Sequence, residues 1–120
     1  MSRNTLVIGA SSNPERYAYK AVKALQNSGH QVTAIGLRTG QIDQVKIHTE
    51  KQLFPNIDTV TLYVSAKNQG QYMDYIKQLK PRRVIFNPGT ENPEVYKELE
   101  ALGIQCEEAC TLVLLSIDQY

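Results

Sequence analysis

Gly9, Ala10, Ser11, Ser12 and Asn13 are the residues of this sequence whose types and spacing most clearly imply chemistry, and that chemistry is anion binding. A short apolar run (Leu6, Val7, Ile8) ends at Gly9, passes through small polar residues, and opens into a helical pattern at Ala18, Ala21, Val22 and Leu25. The first amides of a helix have no internal partner, and the aligned peptide dipoles place partial positive charge there. Glycine and serine keep the turn slim, so main chain can approach a phosphate closely. Other chemistry is harder to find. No Ser-His-Asp set, metal-ligand cluster or carboxylate pair lies within reach of this turn, and His30 and His48 stand far apart. Two thiols remain, Cys106 and Cys110, with Glu107 and Glu108 between them, and negative charge raises a thiol pKa rather than lowering it.

The turn needs elements to hold it. Apolar strand-like runs alternate with helical periodicity, the pattern of a parallel sheet covered by helices. Strands are expected at Thr5–Gly9, Gln31–Ile35, Thr59–Val64, Arg83–Phe86 and Ile104–Cys106. Helices are expected from Tyr17 to Ser28, stopped by Gly29, and from Asn68 to Leu79, just ahead of Pro81. A third has Asn92 as N-cap, Pro93 and Glu94 in its first turn, Val95, Leu99 and Leu102 facing inward, and Gly103 at its end. The tail Cys110–Ile117 reads equally as helix or strand. Between Gly36 and Asp58 the pattern weakens. Val45–Ile47 suits a brief extra strand, and Thr49 and Gln52 have capping-box spacing for a short helix ahead of Leu53 and Phe54.

Composition sets the bounds. The 120 residues suffice for one domain, residues 1–120, with 42% hydrophobic and 21% charged residues and a net charge of +1. Such a balance gives no field favouring nucleic acid or an anionic membrane. No apolar run approaches the ~20 residues of a bilayer span, and with the first strand beginning this early no signal peptide is expected. Two cysteines are too few for a disulfide scaffold, so free thiols and a cytoplasmic location are expected.

Doubly wound sheets bind ligands beyond the carboxyl ends of their strands. Here those ends are Gly9–Pro14, Gly36–Gly40, Ser65–Asn68 and Asn87–Thr90, all small and polar, two of them carrying a cation. A nicotinamide dinucleotide is the obvious first guess, and two features argue against it. The G-x-G-x-x-G fingerprint is missing, and Leu37-Arg38 stands where an acidic residue should hold a ribose diol. A cation there suits a ribose that itself carries a phosphate, as in NADP or coenzyme A.

Gly9-Ala10-Ser11-Ser12-Asn13-Pro14-Glu15-Arg16, with Tyr19 three residues on, resembles the opening of the small CoA-binding domains. Those are stand-alone proteins similar to the coenzyme A-binding domain of the succinyl-CoA synthetase alpha subunit. The resemblance continues through Thr33–Arg38, through Asn87-Pro88-Gly89 with Glu91-Asn92, and to Cys106 and Cys110 near the end. It departs where the family has Asn-Pro before the basic residue and this chain has Gly36-Leu37. The resemblance implies a single Rossmann-like, doubly wound α/β domain with a mostly parallel sheet of about five strands. It further implies coenzyme A or acyl-CoA as the ligand, without evident catalytic residues. Amides from Ala10 to Asn13 and the hydroxyls of Ser11 and Ser12 would hold the pyrophosphate, with Arg16 reaching the same oxygens. Arg38 would meet the ribose phosphate, Ser65 and nearby Lys67 the adenine side, and Asn87 and Gly89 the pantetheine path. An NADP-type oxidoreductase, and a thiol-dependent redox protein using Cys106 or Cys110, remain as alternatives.

Overall fold

The computed structural model describes residues 2–120. Its first strand, β1 (Thr5–Ile8), is buried on both faces, as its unbroken apolar run requires. Helix α1 (Tyr17–Asn27) buries Ala18, Ala21, Val22 and Leu25, the i, i+3, i+4, i+7 set of one helical face. It ends on Gly29 at φ +84°, where the Gly29 and His30 amides reach back to the carbonyls of Gln26 and Leu25. Strand β2 (Val32–Ile35) follows and pairs parallel with β1, residue for residue.

The chain then departs from the expected five strands. Instead of a helical crossover it makes a hairpin, β3 (Gly40–Ile42) and β4 (Val45–His48), turning at Asp43 with φ +52°. Strand β4 pairs parallel with β2, and β3 pairs antiparallel outside it. The short helix expected after Thr49 does not form. Only six residues separate His48 from Pro55, too few to repay helix nucleation, and the residue before a proline disfavours helical backbone. The segment instead lies as a strap over the next helix, with Lys51 Nζ donating to the Gln71 carbonyl at 2.5 Å and the Tyr75 hydroxyl donating to the Gln52 carbonyl.

Strand β5 (Thr59–Leu62) pairs with the other side of β1. A single tight turn at Ala66–Asn68 leads into α2 (Gly70–Leu79), then β6 (Arg83–Phe86), α3 (Pro93–Glu100), β7 (Gln105–Glu108) and α4 (Thr111–Ser116). The undecided tail is therefore helical. Strand β7 lies further along the chain than expected, at Gln105–Glu108 rather than Ile104–Cys106. The seven-stranded order is β3-β4-β2-β1-β5-β6-β7, so the winding reverses between β1 and β5. Two clusters form the core. Leu6, Ile8, Val60 and Phe86 of the sheet pack with Ile76 of α2 and Leu99 of α3, while Val7, Ala34 and Ile47 pack with Val22 and Leu25 of α1, with Leu115 of α4 at their edge.

Candidate functional site

At the winding reversal the loops after β1, β2 and β5 enclose a cleft of about 1220 Å³. Gly9 makes the closeness of two of these loops achievable. It sits at φ +95°, and a Cβ there would lie 2.8 Å from the Tyr63 carbonyl oxygen. Gly9 through Asn13 line the cleft along the β1 turn, with Arg16 at the start of α1, Arg38 across from them and Ser65 on the β5 side. Eight of the sequence-derived site residues thus come together. Tyr19 lies elsewhere, half-buried against the α1 cluster. Asn87 and Gly89 also stand apart from the cleft lining.

The amides of this turn are not equally available. Gly9 and Ala10 both donate to the Ile35 carbonyl at 2.9 Å. Asn13 donates to Ser11 Oγ at 3.1 Å, Glu15 to Asn13 Oδ1 at 3.0 Å, and Arg16 to the Asn13 carbonyl at 3.0 Å. This corrects the expectation that the amides from Ala10 to Asn13 act as one anion cradle. Within that stretch, and among the described residues, only Ser11 and Ser12 keep unspent amides. Helix α1 adds three more at Tyr17, Ala18 and Tyr19, because Arg16 at its N-cap position makes no side-chain cap. Four of the residues that carry these amides, Ser11, Ser12, Tyr17 and Ala18, line the same cleft from two segments of the chain.

Among the described residues Arg16 and Arg38 have no ion-pair partner, and both are exposed. Leu37 and Tyr17 line the same cleft with 84% and 68% of their surfaces exposed, the two most open large apolar side chains described. Sequence reasoning gave Leu37 no role, because an isolated leucine in a loop carries no periodic signal. Gln69 was missed because it falls within the helix expected from Asn68 to Leu79, while its partners Thr90 and Asn92 lie far along the chain. It is fully buried, donating to the carbonyls of Val64 (2.9 Å) and Thr90 (2.6 Å) and accepting from Asn92 Nδ2 at 3.0 Å. That bracket ties the β5 loop to the β6 loop. It also draws the Asn92 side chain away from the capping role expected of it, and α3 has no side-chain cap.

Asn87 acts inside the fold. Its Nδ2 donates to Thr61 Oγ1 (2.6 Å) and the Leu62 carbonyl (2.8 Å), while its Oδ1 accepts from the Thr111 amide at 2.9 Å. Both N–H donors of the side chain are spent, and its oxygen is already engaged inside the fold. Gly89, at φ +92°, gives its amide to Glu91 Oε1 at 2.9 Å. Burial pushes the Cys106 thiol up to about 11, away from the thiolate that redox chemistry requires. Among the described residues no three metal-ligating side chains gather. A smaller hollow of about 680 Å³ lies beside Asp58, Lys77 and Arg82, but Lys77 is paired with Glu98 and Arg82 with Asp58.

A slim turn and a helix start thus meet at the winding reversal of a largely parallel sheet, the place where doubly wound folds bind their ligands. The matching family model, described as a CoA binding domain, spans residues 3–116, and the chain belongs to that family. No curated protein matches the chain. Among solved structures, one titled only as an uncharacterized protein is 41% identical, superimposes with a TM-score of 0.97, and is matched over 100% of this chain and 99% of its own. A protein from Thermus thermophilus shares the fold at 19% identity and a TM-score of 0.87, covering 99% of this chain and 91% of its own. The dinucleotide-forming acetyl-coenzyme A synthetase 1 of Ca. Korarchaeum cryptofilum, in complex with phosphate and ADP, shares it at 13% identity and a TM-score of 0.74. That match covers 90% of this chain and 26% of the synthetase. No helix is long and apolar enough to cross a membrane among the described residues.

Proposed function

We propose that this protein binds coenzyme A or an acyl-CoA and performs no chemistry on it alone. The observation that carries this reading is the set of five unspent amides, at Ser11, Ser12, Tyr17, Ala18 and Tyr19, in a member of a CoA binding domain family. A diphosphate needs donors from more than one direction, and these amides approach from the turn and from the helix start. The hydroxyls of Ser11 and Ser12 add donors, and Arg16 adds a fork matched to phosphate oxygens. Arg38 meets the phosphate on the ribose. Leu37 and Tyr17 offer apolar surface to the adenine ring, with Ser65 on its far side, while Lys67 stands outside the cleft lining. Asn87 and Gly89 bound the pantetheine path by shaping the loop after β6 rather than by direct hydrogen bonds. Among the described residues that line the cleft, the polar side chains are serines, asparagines, arginines, tyrosines, one glutamine and one glutamate, groups that suit binding and orienting a ligand.

A melting-temperature panel of CoA, acetyl-CoA, dephospho-CoA, NAD and NADP tests the reading. A ligand at a hundred times its Kd stabilises by about 2.7 kcal/mol, a rise on the order of ten degrees for a domain of this size. CoA and acetyl-CoA are expected to give that rise and NAD none. A shift with NADP and none with CoA contradicts the proposal.

A further inference from the structure

We propose that Gly36 and Gly40 are positioning residues that fix the distance between the two phosphate sites, by seating the Leu37–Thr39 tongue directly on the β1 turn. The inference rests on the CoA reading above and concerns how the cleft separates CoA from dephospho-CoA.

The tongue has two feet. At the first, Gly36 donates its amide to the His48 carbonyl at 2.9 Å, which fixes it at the end of β2. A Cβ on Gly36 would fall far inside contact distance of the Ala10 carbonyl oxygen and 3.1 Å from Ile47 Cγ2. Neither neighbour can yield easily. Ala10 is bonded to Ile35, and Ile47 is fully buried. At the second foot, Gly40 opens β3 opposite Ile47, and a Cβ there would lie 3.2 Å from Ser12 Cβ. One foot therefore stands on Ala10 and the other on Ser12, at either end of the stretch that holds the free Ser11 and Ser12 amides.

Between the feet, Leu37, Arg38 and Thr39 are all exposed, and among the described residues no hydrogen bond or ion pair ties them down. The place of Arg38 relative to the turn is thus set by how closely Gly36 and Gly40 approach it. CoA carries a diphosphate and a 3′ phosphate on one ribose, so the shared sugar confines its two anionic groups to a narrow range of spacings. A cleft with matching, fixed spacing binds both without a further ordering cost. Dephospho-CoA lacks the 3′ phosphate, so of the tongue it meets only the Leu37 surface beside its adenine, and its affinity depends far less on where Arg38 stands.

The experiment measures Kd for CoA and dephospho-CoA in the wild type, Arg38→Ala, Gly36→Ala and Gly40→Val, with melting curves as a check on folding. Valine is compatible with the strand position of Gly40, so this variant remains informative where Gly36→Ala does not fold. Wild type should prefer CoA by roughly tenfold or more, the scale of one charge-assisted contact. In Gly36→Ala that preference should collapse to the Arg38→Ala level, and in Gly40→Val it should fall at least about threefold. A purely structural role would weaken both ligands equally and leave the ratio intact. A folded Gly36→Ala or Gly40→Val that keeps the wild-type ratio overturns the inference, as does a wild type that binds the two ligands equally. A wild type that binds neither overturns the underlying CoA reading instead.

Discussion

The two edges of the sheet treat their polar groups in opposite ways. At the amino edge, β1, β5 and β6 begin with Thr5, Thr59 and Arg83 in one row, all buried. Arg83 Nε donates to Thr59 Oγ1 at 3.1 Å, Nη1 faces Glu107 at 3.3 Å, and the guanidinium lies 4.5 Å from the centre of the Tyr120 ring. The Tyr120 hydroxyl shares a 2.6 Å hydrogen bond with Thr5, and only Arg83 Nη2 there lacks a partner. At the carboxyl edge the turn after β1 and the start of α1 together leave five amides unspent, and among the described residues Arg16 and Arg38 stand unpaired. The first arrangement closes the molecule; the second suits a group that arrives from solution. Buried polar groups cost stability unless matched. Exposed unmatched donors cost little and remain available to a ligand.

This contrast is testable from either side. Its largest expected consequence concerns Arg83→Ala, which removes a buried ion pair, a hydrogen bond and the surface beneath Tyr120. It should lower stability by about 3 kcal/mol in chemical denaturation while the folded fraction keeps wild-type CoA affinity. A matching loss of affinity would show that the two edges are coupled. Next comes Ser11→Glu, which sets a carboxylate against the free amides. It should weaken CoA at least about a hundredfold by titration, with stability changed by less than about 0.5 kcal/mol. Retained affinity would place the ligand elsewhere.

The smallest effect belongs to pH. Burial, followed by nearby cations including Arg3 and Arg83, holds the His30 imidazole below its usual value, and its Nδ1 accepts the Arg3 amide at 2.8 Å. The folded state therefore prefers neutral His30, and near that pKa the unfolded chain binds more protons. The stabilisation is complete above about pH 6.5 and fades as pH falls below it. Melting curves between pH 7 and pH 5 should show this slope, and His30→Gln should flatten it without altering CoA binding. An unchanged slope would move the effect to another group.

Much of the fold was legible because its signals are local. The runs at β1 and β6 are unbroken and of strand length, β5 alternates, and the inner faces of α1, α2 and α3 repeat at helix spacing. The β3–β4 hairpin was half legible. Val45–Ile47 reads as a strand, but the three residues of β3 and a turn at Asp43 give no comparable pattern. At the site, the small residues from Gly9 to Asn13 marked the turn correctly. Which of their amides remain free depends on the Ile35 carbonyl and on side chains folding back, and no linear pattern carries that. Gln69 and Gly36 show the same limit, since each matters through what a distant loop brings against it.

The central claim is that free amides on the turn and the helix start meet the diphosphate together. Amide NMR on labelled protein titrated with CoA tests this most directly. Ser11, Ser12, Tyr17, Ala18 and Tyr19 should show the largest amide proton shifts. Ala10 and Asn13, already bonded within the protein, should shift far less. Shifts that leave Ser11 and Ser12 still, or that gather around Arg83 and Tyr120, would contradict the account.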